Sequence, residues 1–341
     1  MSLKIGLLLS KENQALSKAE AEIALKQITN PESAETDQNY LILEASATSR
    51  KTLEKALDKL ALTKEAHIIL KESNTMEELE KSLLVSPLNQ EILEFASPTP
   101  KNSFRITLQN LIHKKRSMAS IENLARAISL NKSIGKAKMK EPDIDFHALK
   151  GNKAYLAIKI WKNKNEFKDR ESHKRPYNHP TSLDPRTARA MINLSGTKKE
   201  VLDPFCGAGG ILIEAGKAGI KATGLDFDSR MVERARANTA HYKTENCVVE
   251  HMNALDWNKT AECIVTDIPY GKNSRTSEEI SNLLRKFLEK YEYLTKTIVI
   301  AHPDKISIEE HAKGTKWEKD KEFRIYIHKS LTRIITILVQ R

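Results

Sequence analysis

Cysteine is scarce in this sequence, with three examples among 341 residues. Cys206, Cys247 and Cys263 form no C-x-x-C pair, which excludes a disulfide framework and a cysteine-based zinc site. No apolar run approaches the roughly 18 residues that a membrane span requires. The opening segment MSLKIGLLLSKENQAL has too short an apolar stretch for a signal peptide, and it lacks a small-residue cleavage site. These absences predict a soluble, cytoplasmic protein with no membrane segment.

Acidic residues are outnumbered, with 45 against 56 lysines and arginines, and the net charge is +11. The 40% of hydrophobic residues still suffices for a sizeable core, which excludes intrinsic disorder as the main description. Residues 101–175 hold 19 basic and seven acidic residues, so this block carries the whole excess. A local basic block favours a polyanionic partner, most simply a nucleic acid. The alternative is a lysine-rich face that only contacts solvent.

The second half of the sequence alternates strands and helices, which predicts a doubly wound parallel sheet. The predicted strands are 201–205, 222–226, 247–251, 264–267 and 297–301, and the predicted helices are 211–218, 229–241 and 278–293. An antiparallel hairpin is expected from segments 323–328 and 333–339. A closing hairpin of this kind is typical of Rossmann-like methyltransferases rather than dehydrogenases. The predicted fold class is therefore α/β.

The first half predicts a smaller α+β module. Its strands are expected at 4–9, 40–45, 67–70, 104–108, 144–148 and 155–160, and its helices at 15–28, 51–62, 76–84 and 118–130. Residues 163–185 are polar, rich in His, Arg, Lys and Pro, and show no periodicity. They predict a linker between domains.

A glycine loop, VLDPFCGAGG, follows the first strand of the second half. A P-loop would need G-K-[ST] at its end, and a dinucleotide fingerprint would need glycine where Leu212 stands. An acidic residue ahead of such a loop instead suits a ligand with an ammonium group and no phosphate, which describes S-adenosylmethionine. Asp203 would face the amino group, and glycines at 207, 209 and 210 would let the backbone approach the ligand. The alternative is a glycine turn used only for packing.

The next two strand ends supply further ligand-binding candidates. Asp226 ends the second strand, 23 residues after Asp203, where a carboxylate can accept hydrogen bonds from a ribose diol. Asp228 could instead serve as a helix N-cap. Asn253 lies after the third strand, where its amide can donate to and accept from an adenine edge.

The motif TDIPYG, at the end of the fourth strand, is expected to carry the chemistry. Asp267 and the main-chain carbonyl of Ile268 can accept the N–H bonds of an exocyclic amine on a nucleobase. Pro269 stiffens the loop, and Tyr270 can stack on the base, worth about 1–3 kcal/mol. The carboxylate also stabilises positive charge that develops on nitrogen. The alternative is a proline-kinked strand end in which Asp267 caps and Tyr270 packs.

No metal site is predicted, because the histidines show no H-x-x-x-H or H-E-x-x-H spacing. Cys206 lies inside the glycine loop and is interpreted as a small packing residue. A nucleophile is not expected there, since amine methylation needs no covalent enzyme intermediate.

LDPFCGAGG, GLDFD and TDIPYG together resemble the motifs of class I AdoMet-dependent methyltransferases that act on exocyclic amines. Phe104–Ile106, the helix at 121–128 and KMKEPDIDFHALKGNKAYLAIKI resemble a THUMP domain with a preceding ferredoxin-like domain. RPYNHPTSLDPRTARAMINLS resembles the linker before the catalytic domain of archaeal tRNA guanosine-10 N2-methyltransferases. The resemblance covers nearly the whole chain and is weakest over residues 1–100. It implies a ferredoxin-like domain at 1–70, a THUMP domain at 71–162, a linker at 163–185 and a Rossmann-like methyltransferase domain at 186–341.

The resemblance also implies ligands and partners. S-adenosyl-L-methionine is the expected cofactor, held by Asp203, Phe205, Gly207, Gly209, Gly210, Asp226, Asn253 and Asp267, with Asp267, Ile268, Pro269 and Tyr270 as catalytic residues. A tRNA is the expected partner, with its acceptor end at the THUMP domain. The expected RNA contacts are Lys132, Lys136, Lys138, Lys140, Lys174 and Arg175. A monomer is expected.

The predicted function is methylation of the N2 amine of a tRNA guanosine at position 10, giving N2-methylguanosine or N2,N2-dimethylguanosine. Ile268 departs from the family's D-P-P-Y pattern, and related enzymes with an aliphatic residue there act near position 6, so that site is an alternative. Two further alternatives are an adenine-N6 or cytosine-N4 DNA methyltransferase, and a non-catalytic tRNA-binding partner of a methyltransferase.

Overall fold

The structure is a computed structural model. It describes residues 2–29, 31–46, 49–97, 102–112, 118–130, 134–178, 182–269, 277–329 and 331–340. The chain divides into two compact units, Met1–Lys164 and Asn165–Arg341. Among the described residues, no helix is long and apolar enough to cross a membrane.

The first unit is built on one eight-stranded sheet with the order β2-β3-β1-β4-β8-β7-β5-β6. Its strands are β1 (Ser2–Leu9), β2 (Ser33–Asp37), β3 (Tyr40–Ser46), β4 (Thr63–Ser73), β5 (Ser103–Asn110), β6 (Lys136–Ala137), β7 (Ile144–Lys150) and β8 (Ala154–Lys162). Its helices are α1 (Gln14–Thr29), α2 (Arg50–Leu57), α3 (Met76–Val85), α4 (Gln90–Ala96) and α5 (Met118–Ser129). The neighbours pair antiparallel except that β5 runs parallel to both β6 and β7.

The apolar sides of these helices share one core with the sheet. Leu53, Leu79, Leu93 and Leu124 come from four different helices and belong to a single buried cluster with residues of the strands. The predicted boundary between residues 70 and 71 falls inside β4, which pairs with β1 on one side and β8 on the other. The two domains expected before residue 163 therefore share one sheet and one hydrophobic core.

The second unit contains a seven-stranded sheet with the order β11-β10-β9-β12-β13-β15-β14. Its strands are β9 (Glu200–Asp203), β10 (Lys221–Asp226), β11 (Cys247–His251), β12 (Ile264–Asp267), β13 (Thr297–Pro303), β14 (Trp317–His328) and β15 (Leu331–Gln340). Its helices are α6 (Pro185–Leu194), α7 (Gly210–Lys217), α8 (Ser229–His241), α9 (Ser277–Tyr291) and α10 (Ile308–Ala312). The strands from β9 to β13 are parallel, and β15 pairs antiparallel with β13 and β14. The α/β class and the closing hairpin are thus confirmed.

The segment predicted as a linker is largely part of the second unit. From Asn165 onward it packs with that unit, and short 3-10 helices cover Phe167–Arg170 and Ser172–Lys174. Phe167 and Arg170 are buried. Asp184 then caps α6 by accepting hydrogen bonds from the N–H groups of Arg186 and Thr187. The polar composition predicted a linker between domains. No periodic pattern indicated the packing of this segment, because its buried contacts come from single residues rather than from one face of a helix or strand.

Candidate active site

The candidate site lies at the carboxyl ends of β9, β10, β11 and β12. The chain runs outward from β9 through β10 to β11 and then returns to β12 on the other side of β9. This reversal of strand order opens a crevice at the carboxyl edge, where α/β sheets bind their ligands. In this sheet, every strand that carries a predicted catalytic or cofactor-binding residue ends at this edge.

Asp203 ends β9 and is 1% exposed. Its carboxylate accepts hydrogen bonds from the Thr266 hydroxyl at 2.7 Å and from the Phe205 N–H at 3.3 Å. Burial raises the pKa of Asp203 to about 7, and the two hydrogen bonds oppose that rise. A buried carboxylate with so high a pKa is stabilised by a cationic partner.

The glycine loop leads from Asp203 into α7. Gly207 and Gly209 have φ angles of +50° and +82°, in the left-handed region that residues with a side chain rarely adopt. Gly209 is the N-cap of α7, and this helix has no side-chain cap. Phe205 packs its ring against Phe287, with ring centroids 5.4 Å apart. The loop therefore presents backbone to the crevice, while Phe205 contacts the core beneath it.

Asp226, at the end of β10, is tied to the same loop. One carboxylate oxygen accepts the N–H of Gly207 at 2.9 Å, and the other accepts the N–H of Asp228 at 3.0 Å. A carboxylate oxygen can accept more than one hydrogen bond, and the role of Asp226 toward a ribose diol stays a prediction. Asp228 caps α8 through the N–H of Arg230.

Asn253 follows β11 and is exposed. Its side-chain oxygen accepts the N–H of Leu255 at 3.0 Å and so caps a 3-10 helix over Ala254–Asp256. Its role toward an adenine edge stays a prediction.

Asp267 ends β12 and forms an ion pair with Arg333 of β15, with 3.4 Å between Oδ2 and Nη2. Arg333 is buried. The next residue, Ile268, is buried in the core and donates its N–H to the carbonyl of Ala301 at 3.1 Å. This bond fixes the peptide plane between Asp267 and Ile268. Tyr270 lies outside the described residues.

Sequence reasoning missed two partners at this site, Thr266 and Arg333. Thr266 stands directly before Asp267 in a buried strand, where a hydroxyl needs an acceptor. Arg333 is a single charge at the start of an apolar run, RIITILV, which was a readable signal. Neither signal says which carboxylate the residue contacts, because that depends on strand order.

Cys206 is buried beneath the loop, and burial raises the pKa of its thiol well above the usual value. A buried thiol with a raised pKa is a poor nucleophile, consistent with the packing role predicted for it.

The predicted RNA-binding residues fall into two groups. Lys136, Lys138 and Lys140 are exposed and lie on or just after β6, at the edge of the first sheet. The N–H of Lys138 bonds to Phe104, and the Arg105 guanidinium donates to the carbonyl of Met139. These bonds hold the lysine segment in place. Lys132 lies outside the described residues.

Lys174 and Arg175 belong to the second unit. Lys174 is exposed and pairs with Asp169 at 3.2 Å. Arg175 is only 5% exposed and lies against the glycine loop. The structure does not support its assignment as an RNA contact, because its guanidinium faces the glycine loop rather than the exposed surface on which Lys174 lies.

One group in the first unit has the donor types of a metal site, although no metal was predicted from spacing. One ligand atom each from Glu65, His67 and His147 lies within 4.8 Å of the other two. Pairing of β4 with β8, and of β8 with β7, brings these distant residues together. Spacing in the sequence could not reveal such a group.

Two family models match the chain, and both describe methyltransferases. One, described as an RMKL-like methyltransferase domain, matches residues 172–333. The other, described as a DNA methylase, matches residues 36–237. The crystal structure of TrmN from Thermus thermophilus covers 99% of this chain and 100% of its own, with a TM-score of 0.54 and 16% identity, which is a likeness in fold. Fold and site together define a methyltransferase.

Curated relatives narrow this class. A tRNA (guanine(10)-N2)-dimethyltransferase of Pyrococcus abyssi is 31% identical over 248 residues, which are 71% of this chain and 75% of that protein. A protein of the same name from Methanocaldococcus jannaschii is 31% identical over 66% of this chain and 68% of its own. One from Methanothermobacter thermautotrophicus is 39% identical over 51% of this chain and 54% of its own. The chain belongs to the family of tRNA (guanine(10)-N2)-dimethyltransferases.

Proposed function

We propose that this protein transfers methyl groups from S-adenosylmethionine to the N2 amine of a guanosine in tRNA. The observation that carries the proposal is the carboxylate of Asp267, held by Arg333 at the end of β12, next to the strand whose end opens the glycine loop. The family membership supplies guanosine at position 10 as the target and two successive methylations as the outcome.

The residues at the crevice fit S-adenosylmethionine. Within the described residues, the hydrogen bonds to the buried carboxylate of Asp203 come from a hydroxyl and a backbone N–H, and neither donor is cationic. Such a group suits the ammonium of the ligand's amino acid part. Asp226 offers lone pairs to the ribose, and the glycine loop offers backbone without side chains.

The reacting groups of the chain act on the amine. S-adenosylmethionine, when bound, would supply a methyl group from its sulfonium, and its sulfur would become a neutral thioether as the leaving group. Asp267 and the carbonyl of Ile268 accept the two N–H bonds of the amine and aim its lone pair at the methyl carbon. As the C–N bond forms, positive charge grows on nitrogen, and the fixed carboxylate of Asp267 stabilises it. The nitrogen then loses its extra proton to solvent.

Arg333 orients this carboxylate. Its Nη2 lies 3.4 Å from Oδ2 of Asp267, and this ion pair holds the carboxylate at the end of β12. The N–H of Ile268, bonded to the carbonyl of Ala301 in β13, fixes the peptide that joins Asp267 to Ile268. Ile268 contributes a main-chain atom, so it replaces proline without loss of the acceptor.

We extend the proposal to the first unit as the tRNA-binding part. We retain the ferredoxin-like and THUMP description for it, with the acceptor end of tRNA at the exposed lysines that follow β6. A guanosine inside folded tRNA must leave its stack to reach the crevice. We also propose the cytoplasm as the compartment. We propose a monomer as the working state, and light scattering after size-exclusion chromatography measures its molar mass.

DNA methylation is the second candidate, because the DNA methylase model matches residues 36–237. That match ends in α8, before the strand that carries Asp267. A methyl-transfer assay with an unmodified tRNA transcript and a DNA duplex, each alone and in competition, separates the two candidates. We expect transfer to tRNA only; transfer to the duplex alone would overturn the tRNA assignment.

A further inference from the structure

Arg175 is a buried cation whose outer atoms have no acceptor. Its Nε donates to the carbonyl of Arg170 at 2.9 Å. The Nη1 and Nη2 atoms are both buried and, within the described ranges of the chain, neither has a hydrogen-bond partner. Buried guanidinium donors are almost always satisfied, so this arrangement indicates a missing acceptor.

The unsatisfied end of Arg175 lies at the start of α7. A Cβ atom placed on Gly210 would be 3.1 Å from Nη1, so the guanidinium rests against the first residue of this helix. The first N–H groups of a helix carry partial positive charge, and Gly209 offers no side chain to cap them. Two sources of positive potential therefore meet at the glycine loop.

The neighbouring carboxylate of Glu214 is already engaged by two other guanidinium groups. Glu214 is fully buried and accepts bonds from Arg170 at 2.6 Å and from Arg189 at 3.1 Å. Three buried guanidinium groups thus surround one carboxylate that two of them already engage. Burial also lowers the pKa of Arg175, and the nearby Tyr242, Glu214 and Asp184 only partly oppose that effect.

We infer that Arg175 binds the α-carboxylate of the methionine part of S-adenosylmethionine, a role that rests on the proposed function. The planar guanidinium fork matches a carboxylate with two parallel hydrogen bonds. Asp203 and Asp226 at the same loop disfavour a phosphate, which would bring more negative charge beside them. Asp203 and Arg175 then recognise opposite ends of one zwitterion, the ammonium and the carboxylate.

Calorimetry with two ligands tests this assignment in the full-length protein. S-adenosylhomocysteine carries the α-carboxylate, and its decarboxylated analogue differs only in lacking that group. We expect the wild-type protein to prefer S-adenosylhomocysteine by about 10- to 100-fold, as removal of a charged hydrogen bond predicts. Arg175→Gln should bind both ligands with equal affinity, near the wild-type value for the analogue. Arg175→Lys should keep part of the preference.

The controls separate this role from others. Lys174→Gln removes the neighbouring exposed cation and should leave both affinities unchanged. Asp226→Asn should weaken the binding of both ligands by the same factor, since both retain the ribose. If Arg175→Gln lost affinity for both ligands by the same factor, the inference would be overturned in favour of a structural role. Unchanged affinities with a raised KM for tRNA would overturn it in favour of RNA binding. Failure of the wild-type protein to bind either ligand would overturn the proposed function as well.

Discussion

Two aspartates at neighbouring strand ends have opposite surroundings. Asp203 is buried against a hydroxyl and a backbone N–H, whereas Asp267 lies beside the guanidinium of Arg333. The hydrogen-bond donors to Asp203 are therefore neutral, whereas Asp267 is held by the guanidinium of Arg333. This difference suits a ligand ammonium at the first and a neutral amine at the second.

Asp267→Asn should lower kcat by about 10²- to 10³-fold, the usual effect of losing one preorganised group that stabilises transition-state charge. The affinities for S-adenosylhomocysteine and tRNA should change little, because the site keeps its shape. Single-turnover kinetics and calorimetry measure the two effects. An equal loss of binding and turnover would argue against the catalytic assignment of Asp267.

The raised pKa of Asp203 predicts a pH-dependent cofactor affinity. In the proposed site the ligand's ammonium binds the ionised carboxylate, and protonation of Asp203, whose pKa is about 7, removes that form. Affinity for S-adenosylhomocysteine should thus fall as pH drops from 7 toward 5.5, by up to about tenfold per pH unit. Asp203→Asn should bind weakly at every pH and lose this slope. A slope that persists in the variant would assign it to another group.

For individual site residues, the sequence predicted which residues end the strands but not which residues they contact. The types of Asp203, Asp226 and Asp267 were readable from the motifs. The partners Thr266 and Arg333 were not, because they meet the aspartates only through strand order. Arg175 shows the same limit: composition placed it with the surface lysines, and packing buries it.

At the scale of elements, β6 presents the basic surface. This two-residue strand lies at the sheet edge, and Lys136, Lys138 and Lys140 are exposed along it and after it. Bonds from Lys138 to Phe104 and from Arg105 to Met139 hold the segment in a defined conformation. Fixed charges at an edge can track a phosphate backbone.

Reversal of these three lysines to glutamate should raise the KM for tRNA at least tenfold and reduce the salt dependence of binding, because fewer counterions are released. The kcat at saturating tRNA should persist. A control with Lys51, Lys55 and Lys81 reversed makes the same change of charge on exposed helix positions of the same unit. Equal effects from both triple variants would show that only net charge matters.

Several elements were predicted with close bounds, including the short strands β11 and β12, whereas four other short elements were missed. Predicted strands and helices match the bounds of β1, β3, α3 and α5 within two residues. The elements β2, α4, β6 and α10 were missed. Their seven or fewer residues are too few to establish a hydrophobic period, and β2 is mostly exposed.

At the scale of the whole molecule, the boundary between the units is at residues 164 and 165. The sequence placed the start of the methyltransferase domain at residue 186. The difference matters because Arg170, which pairs with the buried Glu214, lies between these two positions.

A fragment of residues 165–341 should therefore fold and bind S-adenosylhomocysteine, since all the proposed cofactor residues lie within it. A fragment of residues 186–341 leaves Glu214 with one of its two arginines and should be less stable by about 3–5 kcal/mol, the usual cost of breaking a buried ion pair. Denaturant unfolding compares the two. Equal stabilities would contradict the structural role of residues 165–178.

Methyl transfer to one guanosine in tRNA can be detected directly by mass spectrometry of the product. The purified protein is incubated with S-adenosylmethionine and an unmodified tRNA transcript, and nuclease fragments are then mapped by mass spectrometry. We expect a gain of about 14 or 28 Da on the guanosine at position 10. This gain corresponds to one or two methyl groups that replace amine hydrogens. A gain in the acceptor stem would keep the chemistry and contradict the target. No gain on any tRNA would contradict the account itself.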